Sequence, residues 1–188
     1  MKRPHIHVVI ALALGIAVHA LTVWALPRII MDRIITLGGG NAQAQSGSQA
    51  STGVYLPPPT DHTQRRIVMP SPDLLYATCA FDLREGPLRI RMESSYSRYW
   101  SIALYASTTD NFFVVNDRKT ARQDIDLTLV GPRQADSASP GEVISPTERG
   151  FLLLRLLVND DRAVRAAAEA TRRTLRCDRA QARAATPH

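Results

Sequence analysis

The longest uninterrupted apolar stretch of the chain lies near its N-terminus, from Val8 to Leu26. Within these nineteen residues the only polar side chains belong to His19 and Thr22. At about 1.5 Å of rise per residue, a helix of this length spans roughly 28 Å, which is close to the hydrocarbon thickness of a bilayer. The pattern predicts one transmembrane helix over residues 8–26.

Positive charges flank this helix. Lys2, Arg3 and the amino terminus precede it, and Arg28 and Arg33 follow it. Because Lys and Arg close to a span tend to stay in the cytoplasm, the compact N-terminal group predicts a cytoplasmic segment over residues 1–7 and a domain on the other side of the membrane.

A cleaved secretory signal begins with the same basic and apolar regions. Small-x-small patterns occur at residues 18–20, inside the apolar stretch, and at residues 42–44, eighteen residues beyond its end. The stretch is also longer than the apolar region of about 7 to 15 residues that is usual in such signals. The sequence therefore favours an uncleaved signal anchor.

Small and polar residues recur along one face of this helix, at Ala11, Gly15, His19 and Thr22. Such a stripe lets two transmembrane helices approach closely, and a polar group in lipid gains from a partner. The alternative is a generic alanine-rich anchor that tolerates a neutral histidine.

Residues 27–60 are predicted to form a juxtamembrane segment and a flexible linker. The apolar residues between Arg28 and Leu37 either extend the helix or lie at the membrane interface, and Gly38–Gly40 is expected to end it. From Asn41 to Gly53 the chain is rich in Ala, Gln, Ser and Gly, which is typical of a tether.

Residues 61–178 carry the period-two pattern of half-buried β-strands. The predicted strands lie within 75–83, 88–93, 100–104, 112–115, 125–130 and 151–158. The segment Arg84–Pro87 resembles a hairpin connection between the first two.

The end of this domain has a helical pattern instead. Asn159 or Asp160 is the expected N-cap, with Asp161 in the first turn. One face carries Val164, Ala168, Thr171 and Leu175. The predicted fold is mainly β, an antiparallel sandwich or barrel with a C-terminal α-helix, followed by a disordered tail over residues 179–188.

The formal net charge of +6 does not indicate nucleic-acid binding. Residues 61–130 hold nine basic and nine acidic side chains, and the excess positive charge lies near the N-terminus and between Arg162 and Arg183. The basic C-terminal helix could contact anionic headgroups or an acidic partner. A solvated helix face with a favourable dipole is the alternative.

Cys79 and Cys177 are the only cysteines. In a domain outside the cytoplasm, pairing is the natural expectation, and two independent buried thiols are the alternative. A bridge would close a loop of nearly a hundred residues and contribute about 4 to 5 kcal/mol on the loop-entropy model.

The search for catalytic chemistry identifies no catalytic residue, metal site or cofactor. His62 and His188 are the only histidines outside the N-terminal region, and the usual hydrolase and zinc motifs do not occur. A low-specificity candidate is a ligand groove of aromatic and carboxylate side chains. Its members would be Tyr99, Trp100, Phe112, Asp82 and Asp117. Core aromatics and turn-forming aspartates are the alternative interpretation.

Several short motifs, in order, resemble the bacterial family catalogued as domain of unknown function twelve-fifty-four. They are Ser71-Pro72-Asp73-Leu74-Leu75-Tyr76, Phe81-Asp82-Leu83, Gly86-Pro87, Tyr99-Trp100, Asn111-Phe112-Phe113-Val114-Val115-Asn116-Asp117-Arg118 and Val130-Gly131-Pro132. The resemblance implies a β-rich fold, a membrane location and no established catalytic residues. Larger members carry a second uncharacterised domain, whereas short members have one N-terminal membrane helix and this domain alone.

Two functions follow as hypotheses. The preferred one is an interaction module, anchored in the bacterial inner membrane with its domain in the periplasm, that docks a separate envelope protein carrying the companion domain. The partners would be the lipid bilayer and that protein, without nucleic acid. The alternative is a small envelope hydrolase or ligand-binding protein that uses the aromatic and carboxylate groove.

Overall fold

The structure is a computed structural model that describes residues 4–46, 53–60, 70–93, 96–120 and 124–180. Several sequence predictions concern residues outside these ranges. They are the charges of Lys2 and Arg3, the linker at 47–52, His62, and the tail at 181–188. The final described residue, Ala180, donates its N–H to the Pro87 carbonyl, so the ordered domain reaches at least this far.

The N-terminal helix, α1, spans Pro4–Ser46. It continues through Pro27, which lacks an N–H and leaves the Val23 carbonyl without its helical donor. The neighbouring carbonyl, that of Trp24, accepts a hydrogen bond of 2.5 Å from the Arg28 guanidinium. One stretch of the helix, Ile6–Leu37, is long and apolar enough to cross a bilayer.

The prediction that Gly38–Gly40 ends the helix is wrong, because α1 runs six residues further, to Ser46. The helical cost of glycine is about 1 kcal/mol per residue, which a long, already nucleated helix can absorb. Of the two alternatives for residues 28–37, the structure shows the helical extension.

The described residues of the domain contain nine strands in two sheets. They are β1 (Val54–Tyr55), β2 (Leu74–Asp82), β3 (Leu88–Met92), β4 (Trp100–Ala106), β5 (Asn111–Asn116), β6 (Ile125–Val130), β7 (Val143–Ile144), β8 (Arg149–Leu157) and β9 (Arg176–Arg179). The five-stranded sheet has the order β1-β2-β8-β4-β5, and the four-stranded sheet has the order β7-β6-β3-β9. All pairs are antiparallel except β6 and β7. The predicted mainly β fold with an N-terminal helix and a C-terminal helix is confirmed.

The inner faces of the two sheets share one hydrophobic core. Alternate residues of each strand point into it, as the period-two pattern predicts. Fully buried members from the five-stranded sheet include Trp100, Leu104 and Leu154, and those from the four-stranded sheet include Ile90 and Leu129. The arrangement is a sandwich, one of the two predicted alternatives.

The connection between β2 and β3 is not a hairpin, which corrects the prediction for Arg84–Pro87. The two strands belong to different sheets, and a 3₁₀ turn at Leu83–Glu85 takes the chain from one to the other. Leu83 is buried in the core, and its N–H donates to the Glu148 carbonyl at 2.7 Å. A local turn signal does not determine which strand is paired, because pairing depends on the burial of residues distant in sequence.

The C-terminal helix, α2, spans Arg162–Thr174. Its N-cap is Asp161, rather than Asn159 or Asp160, because the Asp161 carboxylate accepts from the N–H groups of Ala163 and Val164. The apolar face packs into the core as predicted. The short strand β9 follows the helix and was not predicted.

Candidate functional site

The outer face of the five-stranded sheet is divided between two ends. We call the end at which Asp82 of β2 lies opposite Arg149 of β8 the near end. The far end is the one at which Leu74 of β2 lies opposite Leu157 of β8. α1 packs on the near end, whereas α2 packs against β2, β3 and β8. The last residue of α2, Thr174, contacts Glu93, which follows β3 at the far end.

At the near end, α1 completes a small hydrophobic cluster on the sheet. Met31 and Ile35 are 6% and 5% exposed and pack with Phe151 of β8. An ion pair accompanies them, with Arg149 Nη1 2.8 Å from Asp32 Oδ1. The helix is therefore packed against the domain at Met31 and Ile35.

Just before this contact, the Arg28 guanidinium lies over the Trp24 ring, 4.5 Å from its centroid. Tryptophan and arginine pairs of this kind are typical of the boundary between membrane and water. Further towards the N-terminus, the predicted stripe residues Ala11, Gly15, His19 and Thr22 are exposed. The Thr22 hydroxyl donates to the Val18 carbonyl at 2.8 Å, so the helix itself satisfies it.

At the far end, the outer face carries two partly exposed apolar side chains. Tyr99 and Leu157 are 39% and 38% exposed and are neighbours, because the Leu157 N–H donates to the Tyr99 carbonyl. Beside them lies Arg155, which is half-buried. Other half-buried or buried arginines of the described chain, at positions 149, 165 and 172, have acidic partners, whereas the Arg155 Nε is buried without one.

Several buried polar atoms without a hydrogen-bond partner meet at this end. Among the described residues they include Trp100 Nε1, Ser101 Oγ, Asp117 Oδ1 and Arg155 Nε. The positions are adjacent, because Ser101 pairs with Arg155, and the Asp117 N–H donates to the Trp100 carbonyl. Ser101 and Arg155 point to the outer face, whereas Trp100 lies in the core. Buried polar atoms without a hydrogen-bond partner are uncommon in native proteins, so these atoms identify a candidate functional site.

The five residues predicted to line a groove are divided between the two ends. Tyr99, Trp100 and Asp117 meet at the far end, with the Trp100 ring fully buried in the core. Asp82 lies at the near end, and Phe112 lies against the core in the bulged stretch of β5 between Asn111 and Phe113. The structure does not bring the two carboxylates together.

Asp82 has a structural partner instead. Its carboxylate accepts from the side chain and from the backbone N–H of Arg84, and it caps the 3₁₀ turn. The hydrogen bond from the Arg84 side chain is the main reason that the pKa of Asp82 is lowered.

The outer face of the four-stranded sheet is charged and internally compensated. Arg89 binds Asp126 with two hydrogen bonds of 2.7 and 2.5 Å, and Arg91 Nη2 lies 2.8 Å from Asp178 Oδ2. The hydrogen bond from Arg89 lowers the pKa of Asp126. This face has the character of a solvated surface.

The described residues contain no group of three or more His, Cys, Asp or Glu side chains suited to a metal ion. Sequence reasoning missed Ser101 and Arg155, because each is a polar residue that alternates with core residues, as any outward strand position does. The missing acidic partner of Arg155 becomes visible only with the sheet register.

The family model for DUF1254, described as a protein of unknown function, matches residues 52–179. The chain belongs to this family. The matched residues contain the whole sandwich and α2, and they exclude α1. No curated protein matches the sequence.

Two solved structures similar to this DUF1254 chain come from Vibrio parahaemolyticus and Burkholderia cenocepacia. A protein from Vibrio parahaemolyticus shares 12% identity and a TM-score of 0.49, over 58% of this chain and 28% of its own. An uncharacterised protein from Burkholderia cenocepacia shares 16% identity and a TM-score of 0.48, over 83% of this chain and 42% of its own. This chain therefore spans less than half the length of either.

Proposed function

We propose that this DUF1254 protein is a single-pass anchor protein of the bacterial inner membrane that docks another envelope protein at the far end of its periplasmic sandwich. The observation that carries the proposal is the division of the outer sheet face. α1 covers the near end, and the far end keeps exposed apolar side chains and an arginine whose buried Nε has no hydrogen-bond partner among the described residues.

The contact between α1 and the sheet supports an uncleaved anchor. Cleavage after residue 44 would remove Met31 and Ile35 and would expose Phe151 to water. Burying an apolar side chain of this size contributes about 1.5–3 kcal/mol. The helix is thus part of the folded domain and not only a targeting signal.

The Trp24 and Arg28 pair supports a membrane boundary next to the near end. With residues 8–26 in the bilayer and the N-terminus in the cytoplasm, the far end of the sandwich points away from the lipid. α2 packs towards that end, so its exposed residues Arg162 and Arg173 favour an acidic protein partner over lipid headgroups.

The partner that fits this surface is a protein with acidic groups beside an apolar patch. A carboxylate would pair with Arg155, and apolar side chains would cover Tyr99 and Leu157. A separate envelope protein carrying the companion domain, which the larger members of the family have in the same chain, is the proposed occupant. Its function would then be accessory, without catalysis by this chain.

Site-specific photo-crosslinking of the full-length protein in native membranes tests the docking surface. A photoreactive phenylalanine analogue replaces Tyr99 or Leu157, and a matched control carries it at Ile144, which is 47% exposed on β7 of the other sheet. We expect one discrete crosslinked product from positions 99 and 157 and none from 144. Monomer alone at all three positions contradicts the proposal, as does the same product at all three.

Labelling of intact cells tests the orientation. A cysteine introduced at Ser97, an exposed residue just before β4, should react with a membrane-impermeant maleimide without cell lysis. Reaction only after lysis contradicts a periplasmic domain.

A further inference from the structure

The two cysteines of the chain come from opposite sheets of the sandwich. Cys79 lies on β2 of the five-stranded sheet, and Cys177 lies on β9, opposite Ile90 of the four-stranded sheet. Both side chains point into the shared core, where they are 1% and 3% exposed. They are 98 positions apart in sequence, so it is the tertiary fold that places both side chains in one core.

The thiols are immediate neighbours in this core. The Cys79 and Cys177 side chains belong to one core cluster, and the interaction with Cys79 adds to the effect of burial in raising the pKa of Cys177. The other contact of Cys79 is weak, with its sulfur 3.8 Å from the carbonyl oxygen of Ala80. Both cysteines are free thiols in the structure, which shows the reduced form.

We propose that Cys79 and Cys177 form a disulfide between the two sheets, and that it forms during folding, before the sandwich closes over the thiols. The compartment in which this happens rests on the proposed function, because a periplasmic domain meets thiol oxidoreductases as it emerges from the membrane. The position of the bridge rests only on the geometry of the core.

The reaction is a thiol–disulfide exchange with an oxidoreductase of that class. One cysteine thiolate attacks the disulfide of the oxidoreductase, which forms a mixed disulfide and releases one thiolate of the enzyme. The second cysteine then attacks its partner in the mixed disulfide and releases the other. Two protons leave the protein, and two electrons pass to the oxidoreductase, which ends as a dithiol.

The order of events follows from the burial of the thiols in the folded domain. Burial is the main cause of the raised pKa of Cys177, and the contact with Cys79 adds to it. A protonated thiol is a poor nucleophile, and no oxidant reaches a side chain that is only 3% exposed. A domain that closes in the reduced state therefore stays reduced until it opens.

The bridge would hold an edge strand. Among the described residues β9 pairs with β3 alone and ends the four-stranded sheet, so the covalent link ties this edge to β2, an interior strand of the other sheet. Reduction would leave β9 with its four backbone pairs and the burial of Cys177.

Refolding of the purified full-length chain in detergent tests the bridge and its timing. Denatured, reduced protein is refolded with oxidised glutathione either present from the start or added after folding, then alkylated in denaturant without reductant and weighed. We expect no alkyl group when the oxidant is present from the start. We expect bridging to be about tenfold slower or more when the oxidant is added to folded protein. Added denaturant should speed the late reaction.

Two alkyl groups in both arms overturn the bridge, and equal rates in the two arms overturn the order of events. The Cys79→Ala variant is the control, since its single thiol cannot form the bridge and should carry one added group, either alkyl or glutathionyl, whatever the oxidant. Protein extracted directly from membranes then separates the two proposals. If refolding forms the bridge but extracted protein carries two thiols, the bridge stands and the periplasmic location fails.

Discussion

Arg149 of β8 and Asp32 of α1 form an ion pair of 2.8 Å between the sandwich and the N-terminal helix. The two side chains are 36% and 61% exposed, so the pair itself contributes at most about 1 kcal/mol. The pair lies beside the contact of Met31 and Ile35 with Phe151. The pair thus links the orientation of the anchor to that of the domain.

Reversing this pair should show a measurable coupling. We expect Asp32→Arg and Arg149→Asp each to lower the free energy of unfolding of the full chain in detergent. The double variant should recover part of the loss, with a coupling of about 0.5 kcal/mol. Additive losses in the double variant would contradict a direct pair.

The apolar contact beside it should matter more. Ile35→Ala removes a buried side chain from the Phe151 cluster and is expected to cost about 2 kcal/mol. Ile30→Ala is the matched control, because Ile30 is 49% exposed on the same helix. Chemical unfolding of both variants in the same detergent gives the comparison. Equal losses would show that the helix does not pack on the sheet.

Gly150 of β8 is required by the packing of its neighbours. A Cβ at this position would lie inside contact distance of the Phe81 ring and of the Tyr105 carbonyl oxygen. Gly150→Ala should destabilise the domain by about 1–3 kcal/mol. Gly53→Ala, whose added Cβ meets only the Ala80 carbonyl oxygen at 3.5 Å, should stay within about 0.5 kcal/mol of the parent. Thermal unfolding of the two variants tests whether an added Cβ destabilises the domain more at Gly150 than at Gly53.

Arg172 joins α2 to the edge of the five-stranded sheet from a buried position. Its Nη1 donates to the carbonyls of Pro57 and Tyr76 at 2.8 and 3.0 Å, and its Nε lies 2.5 Å from Glu169. Arg172→Met leaves three acceptors without the Arg172 donor. We expect it to lower the free energy of unfolding by about 3 kcal/mol.

The adjacent residue supplies the control. Arg173 is 66% exposed and binds the same Glu169 at 2.8 Å, so Arg173→Met should cost less than about 1 kcal/mol. Similar losses in the two variants would mean that the buried hydrogen bonds to Pro57 and Tyr76 contribute nothing.

Asp82 should contribute to stability in a pH-dependent way. Its pKa is lowered in the folded state, mainly by Arg84, so its contribution is present above the unfolded pKa of about 3.9 and is lost as pH falls through the folded value. Asp82→Asn keeps an acceptor for the Arg84 N–H but does not titrate. We expect the parent to lose stability more steeply than the variant below about pH 4. Parallel unfolding curves over this range would contradict the shift.

The strands with strong alternation were predictable because each has one face in the core, and period two follows directly from that. The strands β1 and β7 were not, since two residues carry no period. The step from β2 to β3 depends on Leu83 entering the core, which no local turn signal reports. α1 was predicted too short, because glycine lowers helix propensity without forbidding a helix.

The candidate site was predictable only in part. Tyr99, Trp100 and Asp117 are chemically conspicuous and lie close together. Ser101 and Arg155 are candidates because each has a buried polar atom without a hydrogen-bond partner. The sequence does not show this, because the fold determines which residues are their neighbours. The cysteines are the opposite case, because the sequence already predicts that they pair, and the fold places both in one core.

The unbroken α1 helix has a mechanical consequence. Forty-three residues at about 1.5 Å each give a rod of roughly 65 Å, whose second half is fastened to the sandwich and whose first half is predicted to lie in lipid. A helix tilts to match its apolar length to the bilayer, and a helix that is packed on a domain transmits this tilt to the domain. The angle at which the sandwich meets its surroundings would then vary with the thickness of the membrane beneath it.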